Sequence, residues 1–290
     1  AAAAAAAAAA PRIPNMRELF PPPPPDFKFF HSPTCDVCGH AADDRIKGAM
    51  VPCQGCSNSY HKACLGNRSM REHAVTKVGP DMFVLQCRWC IGVHKKRDER
   101  APKYDMCQKC GGRNPSCVRF APRRTPKQEE VMRAENGGVD PVTKVEGTLV
   151  NNSERVLFRC GRCKCAWCWE CLPLPGKTTS GAGGDLTKAR RARLEEYGIS
   201  WMCRLCQDTE ELKIDKIVAW RPARRELYSE GKTLLDFTED QLEYLLKWEH
   251  KSYNHCVWMP GAWVYGIAKH AMRQAFIRRT LGQGSGDVEG

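Results

Sequence analysis

One spacing is written twice in this chain, and it constrains the fold more than any other feature. Cys53-x2-Cys56-x4-His61-x2-Cys64 returns as Cys160-x2-Cys163-x4-Cys168-x2-Cys171, and further Cys-x2-Cys pairs flank each copy. Written out, the first array is Cys35, Cys38, Cys53, Cys56, His61, Cys64, Cys87 and Cys90. The second is Cys107, Cys110, Cys160, Cys163, Cys168, Cys171, Cys203 and Cys206, with Cys168 standing where the first has His61. A two-residue gap lets one tight knuckle offer two thiolates to one ion, and structural zinc takes four such ligands. Eight ligands make two closed tetrahedral sites, so two arrays are expected to hold four structural zinc ions. Cys117 and Cys165 lie near enough in sequence to exchange with neighbouring ligands; otherwise they are leftover thiols, and Cys256 is expected to be a buried one.

Composition agrees with a metal-built fold. The 290 residues allow two or three domains, yet aromatics are only 8% and hydrophobics 42%, counting eighteen Cys. A domain near 60 residues hides only about 60% of its unfolded surface, so each zinc site, worth roughly 10 kcal/mol or more, supplies folding free energy directly. Stripping the metal is expected to unfold residues 35–206. The competing use of so many cysteines is a disulfide-rich secreted scaffold, which needs a secretory route, and no signal peptide is recognisable. No apolar run of about 18 residues occurs either, so no membrane-spanning helix is expected. A reducing compartment, most simply the nucleus, fits this cysteine usage.

The ligand order carries a resemblance. Four Cys, one His and three Cys, with His61 fifth, is the order of a PHD finger, whereas a RING domain places its His fourth; a RING-like ligase is the rival that shares the plan and lacks the order. The resemblance implies that alternate pairs share an ion: Cys35, Cys38, His61 and Cys64 for one site, Cys53, Cys56, Cys87 and Cys90 for the other. The second array resembles a divergent PHD finger, with 49 residues between Cys110 and Cys160 and 31 between Cys171 and Cys203. The same pairing then implies Cys107, Cys110, Cys168 and Cys171, and Cys160, Cys163, Cys203 and Cys206. Trp201 stands where such fingers carry a core aromatic.

Outside the fingers, residues 1–34 read as a Pro-rich extended tail. The run Ala1 to Ala10 carries no functional information, and Phe27, Phe29 and Phe30 either line a finger's sheet edge, bind a partner or decorate a free tail. Strands are expected over 214–221 and 243–248. A helix is expected over 261–281, with Val264, Ile267, Ala268, Ala271 and Ala275 on one face and Lys269 and Arg273 opposite. The string from Leu245 to Pro260, LLKWEHKSYNHCVWMP, resembles the chromodomain core of chromodomain-helicase remodellers. Tandem PHD-like fingers followed by a chromodomain resemble the N-terminal region of the fungal heterochromatin remodeller of the SHREC histone-deacetylase complex. The resulting plan is a small zinc-stabilised α+β chain: tail 1–34, PHD finger 35–92, basic linker 93–106, divergent PHD-like finger 107–208, a chromodomain-like small β-barrel with a C-terminal helix over 212–281, and a Gly-rich linker 282–290.

The reading chemistry of those families is degraded here. A chromodomain holds methyl-lysine in a cage of aromatic faces, and the resemblance puts Leu212, Trp248 and Lys251 at the cage positions. Only Trp248 is aromatic, and Lys251 would repel the cationic ligand, so Trp248 reads as a packing residue. In the first finger, Gly48, Ala49, Met50, Val51 and Pro52 occupy the segment where such readers carry acidic or aromatic residues. Asp43 and Asp44 are the nearest acids, and two loop aspartates are ordinarily solvated.

Net charge is +12 and spread out. The stretch 94–103 carries five Lys/Arg against two acids, 111–159 nine against six, and 261–281 four against none. A basic chromatin protein suggests salt-sensitive contact with nucleosomal DNA phosphates, although charge runs are usually solvated faces. A further helix over 185–197, capped by Asp185 and stopped by Gly198, would add an Arg-rich surface. Catalysis has little support. Gly176-Lys177-Thr178 would need Gly at position 171 to form a nucleotide loop, and eight-ligand arrays leave no open zinc position. The expectation is a non-enzymatic chromatin-targeting and scaffolding region of an ATP-dependent remodeller in heterochromatin silencing, its motor lying beyond Gly290. Partner subunits of a histone-deacetylase repressor complex are its expected ligands, with histone tails through a non-standard pocket or nucleosomal DNA as alternatives, and neither membrane nor small-molecule substrate.

Overall fold

The computed structural model describes residues 22–41, 47–65, 72–172, 201–228 and 230–283. Asp43, Asp44, the 185–197 helix, the Lys177 loop and the Ala1 to Ala10 run lie outside the described residues. Sheets are small and antiparallel: β1 (Met50–Pro52) with β2 (Ser59–His61), β3 (Ala74–Gly79) with β4 (Met82–Gln86), and β5 (Phe158–Arg159) with β6 (Ala166–Trp167). Each of the β1–β2 and β5–β6 ladders encloses a Cys-x2-Cys knuckle, so the strands need be no longer than the metal requires.

The C-terminal part is an open meander of β7 (Ile214–Pro222), β8 (Leu242–Trp248) and β9 (Val257–Pro260), with β8 in the centre. Along β8 Leu242, Tyr244, Leu246 and Trp248 point inward and alternate with half-buried residues, the period-2 signature of a strand with one face on a core. Between β7 and β8, Leu234 and Phe237 drop into that core at 0% and 3% exposure. Both edge strands stay unpaired with each other, so the described residues form a sheet rather than the expected barrel.

The expected 21-residue helix is broken in two. α4 in our numbering follows α1 (Pro25–Phe29), α2 (Pro126–Glu135) and α3 (Arg204–Asp208); it runs Gly261–Ile267, and α5 runs His270–Gln283. Ala268 between them is extended, with φ −71° and ψ 139°. The break resets the helical phase: Val264 and Ala268 stay buried, while Ala271 and Ala275 face out. Arg273, expected on the polar face, is buried instead, its guanidinium 3.8 Å over the Tyr265 ring. Stacking on an aromatic face lets an arginine bury its stem at low cost.

One core runs through the second finger and the C-terminal sheet, joining Cys160, Cys163, Cys203 and Cys206 to Ile217, Leu246, Trp248, Trp263 and Phe276. A second, smaller core belongs to the first finger and takes in Cys117 and Leu157 from the long insertion. The insertion wraps the first finger. Gln86 donates to the carbonyls of Ser116 (2.7 Å) and Val118 (2.8 Å) and accepts from the Phe120 amide. Residues 93–106, read as a linker, are built into the assembly: Ala101 and Tyr104 are buried, and Arg100 donates to the Phe237 carbonyl at 3.0 Å. The tail segment is likewise docked. Phe27 is 1% exposed, and His31 joins the Phe27 and Cys53 carbonyls at 2.7 and 2.8 Å.

Candidate metal centres and the surfaces that hold them

The structure gathers sixteen side chains into four groups: Cys35, Cys38, His61, Cys64; Cys53, Cys56, Cys87, Cys90; Cys107, Cys110, Cys168, Cys171; and Cys160, Cys163, Cys203, Cys206. Within each group the ligand atoms lie within 4.8 Å of one another. Closer measures are informative. Sulfurs of Cys56 and Cys87 are 3.6 Å apart, of Cys87 and Cys90 3.7 Å, of Cys163 and Cys203 3.7 Å, and of Cys110 and Cys168 3.8 Å. A tetrahedron of sulfurs about 2.3 Å from a zinc ion has edges of about 3.8 Å. Disulfides need about 2.05 Å, and all eighteen cysteines are free. Each group can therefore hold one zinc ion, four in all.

The groups interleave along the chain, and the knuckles at Cys53 and Cys160 each fill the turn of a short ladder. In the first finger Cys53 and Cys56 form the turn between β1 and β2, where the Cys53 amide bonds the Asn58 carbonyl at 3.0 Å. His61 ends β2 with Nδ1 facing its group, 3.4 Å from the Cys38 sulfur. Its Nε2 donates to the Ala41 carbonyl at 2.9 Å, which fixes the tautomer that leaves Nδ1 free to ligate. Backbone amides supply further support to the sulfurs: Cys87 to Cys53 at 3.2 Å, His61 to Cys35 at 3.4 Å, and Cys203 to Cys160 at 3.3 Å. Such donors favour thiolate over thiol. The backbone at His40 holds the Cys38 thiol down at about 5. At Cys107 burial pushes upward, but the amides of Cys110, Cys168 and Lys109 outweigh it and bring the thiol to about 7.

Cys117, Cys165 and Cys256 belong to none of the four groups. Cys117 is buried beside the first finger, its sulfur 3.6 Å from the Gly55 carbonyl. Cys165 is buried in the larger core. Cys256, expected to be buried, is half-exposed, because it stands at the surface turn leading into β9.

The two fingers and the C-terminal sheet meet at contacts that sequence spacing did not reveal. Asp36 takes Lys164 at 2.9 Å, the Tyr60 hydroxyl at 3.1 Å and the Trp89 indole at 3.3 Å. Burial would raise its carboxyl, but Lys164 and the Trp89 and Tyr60 hydrogen bonds together outweigh burial and hold it below the usual range. Trp201 packs edge-on against Trp167 at 5.1 Å, as a core aromatic. Trp263 of α4 donates its indole N–H to the Cys206 sulfur at 3.2 Å, and the backbone of Cys163 sits directly against Gly266. Arg159, counted in the sequence only as one charge of the insertion, reaches the sulfurs of Cys56 and Cys90 at 3.3 and 3.4 Å.

At the cage positions the structure places Trp248 inward at 4% exposure, edge-on to Trp263 at 6.4 Å. Leu212 packs against the same core, and Lys251 is exposed. In the first finger Val51 and Pro52 are buried in β1, and Met50 is half-buried.

Paired, interleaved four-ligand groups on short antiparallel ladders define a cross-braced zinc-finger protein. The family model described as PHD/FYVE-zinc-finger like domain matches residues 35–206, more than half of the chain, and the chain belongs to that family. No curated protein and no solved structure gave a match. The match spans both arrays and the long insertion. Among the described residues no helix is long and apolar enough to cross a membrane. A zinc finger of this family is an interaction module, and with all four ligands supplied by side chains its metal is structural.

Proposed function

We infer that the chain is a non-catalytic chromatin-targeting and scaffolding region that acts in the nucleus, its sixteen ligands holding four structural zinc ions. On this reading it docks subunits of a histone-deacetylase repressor complex for an ATP-dependent, chromodomain-helicase-type remodeller of heterochromatin. One observation carries it: the second finger and the C-terminal sheet share a core, and Trp248, the one aromatic at the cage positions, is spent inside that core. A fused block with its methyl-lysine position filled by packing suits rigid docking better than tail reading. Lys251, exposed and cationic, would oppose a methylated ammonium there.

Contact with nucleosomal DNA is the second reading, and the structure offers it one specific face. Lys96, from the turn after the first finger, and Arg119 and Arg123, from the insertion, lie close enough that the two arginines depress the lysine, whose own desolvation contributes most. Among the described residues none of the three pairs with a carboxylate, and Arg119 is half-buried.

The deciding measurement is anisotropy binding of the zinc-loaded chain to intact nucleosomes, tailless nucleosomes and purified repressor-complex subunits, each across a salt series. Docking predicts subunit binding that survives high salt, with no dependence on tails. Affinity lost on tail removal would overturn docking in favour of tail reading. A tail-independent affinity that falls steeply with salt, at a slope near −0.9 per phosphate neutralised, would move the assignment to DNA.

A further inference from the structure

Four thiolates around a divalent ion leave a formal charge of −2, and in the first finger that charge is thoroughly enclosed. Cys53, Cys56 and Cys87 are 0% exposed and Cys90 is 2%. A buried charge of this size costs several kcal/mol unless something compensates it. Backbone amides of Gly55 and Cys87 reach only the Cys53 sulfur, at 3.4 and 3.2 Å.

Arg159 supplies the rest from outside the finger. Its Nε donates to Cys56 at 3.3 Å and its Nη2 to Cys90 at 3.4 Å. Nη1 also donates to the carbonyl of Lys164 in the second finger at 2.7 Å, and Nη2 to that of Tyr104, in the segment just before it, at 2.9 Å. At 3% exposure the side chain is sealed from water, so among the described residues its charge has no counter-ion except the cluster. The backbone of the same strand is clamped to the first finger as well: the Arg159 amide donates to the Ser57 hydroxyl at 3.0 Å, and the Leu157 amide to the Gly55 carbonyl at 3.1 Å. By contrast, the sulfurs of the buried group at Cys160, Cys163, Cys203 and Cys206 meet neutral donors, the Trp263 indole and the Cys203 amide.

We propose that Arg159 is the counter-cation and positioning residue of the buried Cys53, Cys56, Cys87 and Cys90 zinc centre, so that the first finger retains this ion only with the second finger folded against it. A protonated guanidinium with two N–H···S bonds lowers the charge of the cluster by one and holds two ligands in place for the metal. Second-shell partners of this kind typically alter metal affinity 10–100-fold. The two fingers are therefore one metal-binding unit in which a side chain of the second completes the buried centre of the first, a dependence absent from either array of ligands.

The test uses the full chain loaded with four zinc equivalents. Timed transfer of zinc to a chromogenic chelator would be followed for the wild type, Arg159→Met, Arg159→Gln and Arg159→Lys, with mass-spectrometric mapping of which cysteines become open to alkylation. In Arg159→Met one equivalent of the four should leave about tenfold faster or more, with Cys53, Cys56, Cys87 and Cys90 alkylated first. Arg159→Lys, which keeps the charge, should recover most of the wild-type rate. Should Arg159→Met not fold, Arg159→Gln keeps a donor, loses the charge and reads the same single fast equivalent. The proposal fails if the neutral variants release all four ions at wild-type rates, if they accelerate all four alike, or if Lys releases as fast as Met.

Discussion

His73 packs under the first finger with its ring edge-on to Tyr60 at 4.7 Å, and its Nδ1 accepts the Arg88 amide at 3.3 Å. Burial, followed by the nearby Arg88 charge, pushes its pKa down to about 4. The folded chain therefore resists a proton that the unfolded chain accepts near pH 6.5. A depressed histidine contributes stability that is complete above about pH 6.5 and is lost as pH falls toward 4. Between pH 7 and pH 5 this amounts to about 2 kcal/mol. Urea unfolding of the zinc-loaded chain at the two pH values should show that loss, and His73→Gln should show a correspondingly flatter dependence. Equal pH slopes in the two proteins would rule the residue out. Arg159 represents the other kind of residue at this scale, one whose role comes from a distant partner. The zinc ligands were legible because a knuckle is local, two residues wide, and its chemistry needs no distant contact. Arg159 meets Cys56 across 103 positions, and nothing in the spelling around it marks that meeting.

At the scale of elements, the seat of α4 on the second finger's knuckle can be tested. A Cβ placed on Gly266 would lie 2.2 Å from the Cys163 carbonyl oxygen and 2.8 Å from its carbon, so helix and zinc knuckle touch through backbone alone. Overpacking at such a contact typically costs 1–3 kcal/mol. Gly266→Ala should accordingly lower the melting temperature by several degrees, whereas Gly147→Ala, with open space around the glycine, should leave it unchanged; circular dichroism melts of the two variants provide the comparison. The strands at 214 and 243 could be read from β-branched content and alternation, because one buried face imposes period 2 on the sequence. The helix break could not. Its apolar positions continue at helical spacing through Ala271 and Ala275, and the Cys163 knuckle that packs against Gly266, two residues before the extended Ala268, is far away in sequence. Residues 93–106 were similarly opaque: five cations suggest a solvated linker, yet Tyr104 is buried between the indole of Trp89, at 5.4 Å, and the His94 ring, at 4.8 Å.

Across the whole molecule, metal and hydrophobic burial are one system. Cys160, Cys163, Cys203 and Cys206 lie in the same core as Trp248, Trp263 and Phe276, so withdrawing zinc should dismantle the C-terminal sheet along with the fingers. Excess chelator is expected to shift tryptophan fluorescence to the red in the same transition that abolishes finger structure, because Trp263 loses its bond to Cys206 as well as its shelter. Hydrogen exchange makes the check: amides of β8 that stay protected after zinc removal would show the sheet to be independent. The order in which the chain is made also matters for such an assembly. Arg159 follows Cys90 by 69 residues, which at about 5–20 residues per second means several seconds of synthesis. Throughout that interval every ligand of the first finger has been translated, while the strand that closes over its buried sulfurs has not. The nascent finger is thus exposed to oxidants and competing metals until Leu157 and Arg159 arrive.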